Sequence, residues 1–148
     1  MKVVCKTTIN APSKEVFDVF SDIPKADERI SGIKKIEFLS SKKSGKGTKW
    51  RETRVIMGKE ASEEMWISSF DAPNSYAVEA ESHGMKYYSK YTFDEVEGKT
   101  TARLVFTGEP QTFSAKVQGV IWKPLMNSMV KKPLEQDMQD LKNYIEKS

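Results

Sequence analysis

The chain has 148 residues, 38% of them apolar and 30% charged, with a net charge of +3. This is the balance of one ordinary globular domain over 1–148, and so small a basic excess argues against a nucleic-acid binder. Cys5 is the single cysteine, so no internal disulfide is possible and a reducing compartment fits. No stretch approaches the ~18 apolar residues of a membrane span, and Met1 to Lys6 holds no signal-peptide run. The expectation is a cytoplasmic chain without integral membrane contact.

Residues 2–9 are rich in β-branched side chains and read as a first strand. Asn10-Ala11-Pro12-Ser13 breaks it. Val16, Phe17, Val19 and Phe20 then recur at helical spacing and predict a short helix over 13–21. A further turn or two of helix fits 24–30, before Gly32. From Ile33 the period becomes two, and strands are predicted over 33–40, 46–57, 61–71, 75–83, 85–97 and 99–109. Ser44-Gly45, Gly58-Lys59, Ala72-Pro73-Asn74, His83-Gly84 and Glu97-Gly98-Lys99 are turn material between them. Connections this short pair consecutive strands as antiparallel hairpins and leave no room for helical crossovers.

The face of each strand follows from alternation. Tyr76, Val78 and Ala80 form one apolar stripe; Met85, Tyr87, Tyr91 and Phe93 form another, and Ala102, Leu104 and Phe106 a third. Strands 46–57 and 61–71 are ambiguous. Trp50, Glu52, Arg54 and Ile56 share one face while Val55 and Met57 share the other, and Trp66 with Phe70 opposes Met65 with Ile67. After Pro110, Phe113, Val117, Ile121, Leu125 and Met129, then Leu134, Met138, Leu141 and Ile145, predict a long helix within 112–147. Pro124 and Pro133 each predict a kink or break in it, and two separate helices are the alternative.

The order strand, short helices, six strands, long helix resembles the START-like (SRPBCC) superfamily. Ile9-Asn10-Ala11-Pro12-Ser13-Lys14-Glu15-Val16-Phe17 looks like its first strand-to-helix junction. Gly45-Lys46-Gly47-Thr48-Lys49-Trp50-Arg51-Glu52 and Phe70-Asp71-Ala72-Pro73-Asn74-Ser75-Tyr76 are similar to segments of its polyketide cyclase/dehydrase-like members, as is Leu134 to Lys142. The resemblance implies an α+β helix-grip fold: a curved seven-stranded antiparallel sheet wrapped around a long C-terminal helix, with short helices after the first strand. It does not choose among the lipid carriers, hormone receptors, cyclases, dehydratases and chaperone regulators that share this fold.

Few residues suggest chemistry. His83, the only histidine, falls at a turn, where a solvated side chain is the expected state. Cys5 and His83 show no metal-ligand spacing, and Ser44-Gly45-Lys46-Gly47 lacks the context of a phosphate loop, so no metal and no cofactor are expected. Lys34, Lys35, Lys42, Lys43, Lys46, Lys49 and Arg51 read as a solvated basic edge that discourages aggregation. If Trp50 faces inward, Glu52 and Arg54 follow and pair inside an apolar cavity; otherwise they form an exposed cross-strand ladder with Glu64.

The expected cavity lies between sheet and helix, lined by Trp50, Tyr76, Val78, Tyr87, Tyr91, Phe93, Leu104 and Phe106 opposite Val117, Ile121, Leu125 and Met129. Binding of a hydrophobic or amphipathic small molecule there is the leading expectation, in a monomer or weak homodimer. The alternative is a cofactor-free polyketide cyclase or dehydratase using Arg54, Glu52 and Tyr87. A protein-interaction module of the chaperone-regulator kind is a second alternative, and it needs an exposed apolar patch outside the cavity.

Overall fold

The computed structural model describes the backbone of residues 1–56, 58–111 and 113–147, and the side chains of these residues outside 113–128. β1 (Lys2–Ile9) opens the chain and ends where Asn10-Ala11-Pro12 turns it into α1 (Ser13–Phe20). The junction is tied to residues distant in sequence. Thr100 Oγ1 donates to the Ala11 carbonyl at 2.7 Å, and the Glu95 carboxylate accepts from the Ser13 N–H at 2.7 Å, at the positive end of α1. A short 3-10 turn (Ile23–Lys25) and α2 (Ala26–Arg29) then lead to β2 (Ile33–Phe38).

The remaining strands, β3 (Lys49–Ile56), β4 (Lys59–Asp71), β5 (Ser75–Ser82), β6 (Met85–Val96) and β7 (Lys99–Pro110), follow by short turns. Together with β1 and β2 they form one curved antiparallel sheet in the order β1-β7-β6-β5-β4-β3-β2, seven strands among the described residues. α1 and α2 therefore carry the chain from one sheet edge to the other. His83 and Gly84, with φ of 51° and 76°, make the two-residue turn between β5 and β6; positive φ at both positions matches the twist of the flanking strands. β3 starts at Lys49, later than expected. Gly45 and Gly47 hold φ of 80° and 93°, and Thr48 Oγ1 donates to the Gly45 carbonyl, so 45–48 stays a turn.

Alternation misassigns one residue of β4. The register against β5 shifts between Ile67 and Ser69, and this bulge brings Phe70 onto the same inner face as Met65 and Ile67, against Tyr76. Trp66 remains on the other face.

α3 (Phe113–Lys147) runs as one helix through both Pro124 and Pro133, so the two-helix alternative is set aside. Its last third packs as solid core. Met138, Leu141 and Ile145 meet Val3, Cys5 and Leu104 of the sheet and Phe17 and Phe20 of α1. Phe17 stands edge-on to Phe70, Tyr76 and Phe93 at 5.1, 5.7 and 5.6 Å, and Phe20 to Phe93 at 5.2 Å. That end of the molecule is filled. The other end is not.

Candidate functional site

Between the middle of α3 and the concave sheet lies a cavity of about 380 Å³. β3 supplies Trp50, Glu52 and Arg54; β4 to β7 supply Met65, Tyr76, Val78, Ser89, Tyr91 and Phe106. α3 roofs it with Met129, Val130, Pro133, Leu134, Asp137, Met138 and Leu141. Phe20, Ile23, Ala26, Ile30 and Ile33 close one side, so the helical segment that bridges the sheet edges is also a wall. Ile56, half exposed, and Met129, 48% exposed, stand at the mouth. A second lobe of about 220 Å³ shares Met65, Val78, Ser89, Phe106 and Val130 with the first and adds Glu63, Glu79, Ala80 and Tyr87.

The polar part of this lining is a buried ion-pair group. Trp50 is 2% exposed and points inward, and period two then carries Glu52 and Arg54 to the same face. Arg54 Nε donates to Glu52 Oε2 at 2.6 Å. Its Nη1 and Nη2 donate to both oxygens of Asp137 on α3 at 3.0 and 2.8 Å, a bidentate clamp from sheet to helix. The Trp50 indole N–H completes Glu52 by donating to Oε1 at 3.3 Å. Gly32 makes room for the clamp, because a Cβ there would meet Arg54 Nη1 at 3.2 Å.

Burial opposes the charge on Arg54, but the Asp137 and Glu52 carboxylates outweigh it and hold the guanidinium protonated. Burial also pushes the Asp137 carboxyl up. The Arg54 hydrogen bonds and charge pull it down, Glu52 and Asp140 add to the rise, and the balance lies above the ordinary aspartate value. Tyr91 is raised by burial and, in smaller part, by Asp137, with Arg54 opposing, and Tyr87 is raised by burial and by Glu63. Both phenols stay protonated through neutral pH and can donate hydrogen bonds.

Trp50, Tyr76, Val78, Tyr91, Phe106 and Met129 of the expected lining border the main cavity, and Tyr87 borders the adjoining lobe. Phe93 and Leu104 do not. The correction is that α1 covers Phe93 and that Leu104, paired with Cys5 and Tyr91 in the sheet, lies under the filled end of α3. Val117, Ile121 and Leu125 fall outside the described side chains. His83 sits exposed on its hairpin. The basic edge is partly paired on the outside, Lys34 with Glu60, Lys35 with Glu37 and Arg51 with Glu64.

Asp137 was missed by the sequence reading, although a signal was present. It lies three residues after Leu134 and four before Leu141, which places a carboxylate on an apolar helical stripe. Ile23, Ala26, Ile30 and Gly32 carry no such signal.

Seven antiparallel strands gripping one long helix, with a cavity between them, define the START-like helix-grip class. Residues 1–146 match the family described as polyketide cyclase / dehydrase and lipid transport, and the chain belongs to it. No curated protein sequence matches the chain. Among solved structures, it is similar to the Zhui aromatase/cyclase from Streptomyces sp. R1128 (13% identity, TM-score 0.82, 99% of this chain and 93% of that one). It is also similar to a START superfamily protein from Mycobacterium smegmatis (12%, TM-score 0.80, 99% and 97%). TTHA0849 from Thermus thermophilus is a third (18%, TM-score 0.81, 98% and 97%). At these identities the likeness is one of fold.

Proposed function

We propose that this chain binds an apolar or amphipathic small molecule in the cavity between the sheet and α3. The polar part of the ligand lies toward Arg54, Glu52 and Asp137. The observation that carries the reading is an apolar-walled space of about 380 Å³ with one convergent polar group, the size and composition of a small-molecule site. Met129 and Ile56 at the mouth give the ligand an apolar path inward. In this reading the chain acts as one domain, a monomer or weak homodimer in the cytoplasm, where the buried free thiol of Cys5 stays reduced. Titration with Nile red, a neutral apolar dye, tests the proposal directly. Saturable fluorescence enhancement at near one dye per chain is expected, and no enhancement would sink it.

A second reading has an observation of its own. The family's description includes cyclases and dehydrases, and Arg54 and Glu52 border the main cavity while Tyr87 borders the adjoining lobe. A cyclase or dehydratase would use the guanidinium and the phenol to stabilise enolate oxygens of a poly-β-keto substrate without a cofactor. Turnover of such a substrate by the purified chain, lost in Arg54→Gln and Tyr87→Phe variants that remain folded, is the outcome this reading requires.

A further inference from the structure

With the cavity taken as a ligand site, the charges along its floor select among ligands. Glu52 on β3 and Glu63 on β4 are direct cross-strand partners, which puts two carboxylates side by side on the inner face. Like charges placed so are mutually destabilising. Asp137 adds a third from α3, facing Glu52 across the guanidinium of Arg54. Arg54 commits three of its N–H groups to Glu52 and Asp137, and no cation among the described residues pairs with Glu63. Four acids and one base thus line the two lobes among the described residues; Glu79 is paired with Lys86 at 3.5 Å, which leaves Glu52, Glu63 and Asp137 against Arg54, inside a chain whose total charge is +3.

The acids do not converge as a metal cage: no group of three or more candidate ligands is placed to hold an ion among the described residues. They are spread along an apolar wall. The aromatic residues Trp50, Tyr91 and Phe106 line the same cavity, and aromatic rings are favourable neighbours for a cation. Among the described residues, an ionised carboxylate entering this space meets one guanidinium, already engaged, whereas an ammonium meets Glu63, which no described cation pairs.

On that basis, and resting on the ligand-site reading above, we propose that the cavity takes a hydrophobic amine, its ammonium group seated between Glu63 and Glu52. It discriminates against acids of the same chain length. The test is competition against Nile red at pH 7 by decylamine, decanol and decanoate, three probes with one tail and three charges. Decylamine is expected to displace the dye at a concentration about tenfold or more below decanoate, with decanol between them. Glu63→Gln is expected to cut the amine-to-acid preference several-fold while decanol affinity stays within about twofold. Decanoate binding as well as or better than decylamine overturns the charge assignment and leaves the ligand site standing. A preference unchanged in Glu63→Gln removes Glu63 from it. Dye binding with no displacement by any of the three refutes the proposal, and absence of dye binding refutes the site itself.

Discussion

Arg54 shows why a buried ion-pair group constrains a fold more than it stabilises it. Its charge and those of Glu52 and Asp137 lose their hydration together, and the three contacts at 2.6, 2.8 and 3.0 Å offset that cost only while all remain. Arg54→Met strands two carboxylates and is expected to cost about 3–5 kcal/mol in urea unfolding. Replacing the group jointly, Arg54→Met with Glu52→Gln and Asp137→Asn, should recover much of that loss. Titration separates two aspartates one turn apart. Burial leads the rise of Asp137. For Asp140 burial also opposes ionisation, but the Ser31 N–H and hydroxyl and the Gln136 amide outweigh it and hold the group low. A carbon-13 carboxyl titration should place Asp137 above and Asp140 below the ordinary value of 3.8. With its folded pKa raised, Asp137 contributes stability fully below its unfolded pKa and loses it as pH rises through the folded one. Asp140 contributes above its unfolded pKa and loses that as pH falls through the folded one.

At the scale of elements, α1 is a short helix held by what it covers. Eight residues cannot persist alone, and Val16, Phe17 and Phe20 are buried against β5, β6 and the end of α3. Phe17→Ala removes the ring at the centre of three edge-on contacts and should cost about 3–5 kcal/mol by chemical denaturation. Val96→Ala, at 71% exposure on the β6–β7 turn, should stay within about 0.5 kcal/mol of wild type. The hairpins were legible because period two and turn residues agreed at each connection, and the long helix because its apolar repeat ran from Phe113 to Ile145. The bulge in β4 was not legible, since one inserted residue leaves composition unchanged and only the partner strand reveals it. Nor was the inner face of β3, because Trp50, Glu52 and Arg54 alternate with a second half-apolar set ending in Val55, itself exposed. What decides that face is Asp137, 83 residues downstream of Arg54. The prolines do not break the helix. Pro133 removes the donor for the Met129 carbonyl, yet the helix continues, and both residues border the cavity.

For the whole molecule, one helix serves two different environments, and this separates folding from binding. Toward Ile145, α3 completes a solid core with α1, β1 and β7; from Met129 to Leu141 the same helix also roofs a hollow. Leu104 belongs to the first region, paired with Cys5 and Tyr91 at 1% exposure. Ser89 belongs to the second, set between Val78 and Phe106 in mid-sheet and bordering both lobes. Leu104→Ala should therefore lower stability by about 2–5 kcal/mol, since it leaves a void under α3. Ser89→Trp adds a ring where space already exists, so its melting temperature should stay close to wild type. The ligand response is expected to reverse that order. A ligand at about a hundred times its Kd adds about 2.7 kcal/mol to the folded state, which for a domain near this size raises Tm by several degrees. Calorimetric scans with and without decylamine should show that rise in wild type and in Leu104→Ala, from a lower starting point, and none in Ser89→Trp. A ligand shift that survives Ser89→Trp but vanishes in a folded Leu104→Ala would move the site from the hollow end of the molecule to the filled one.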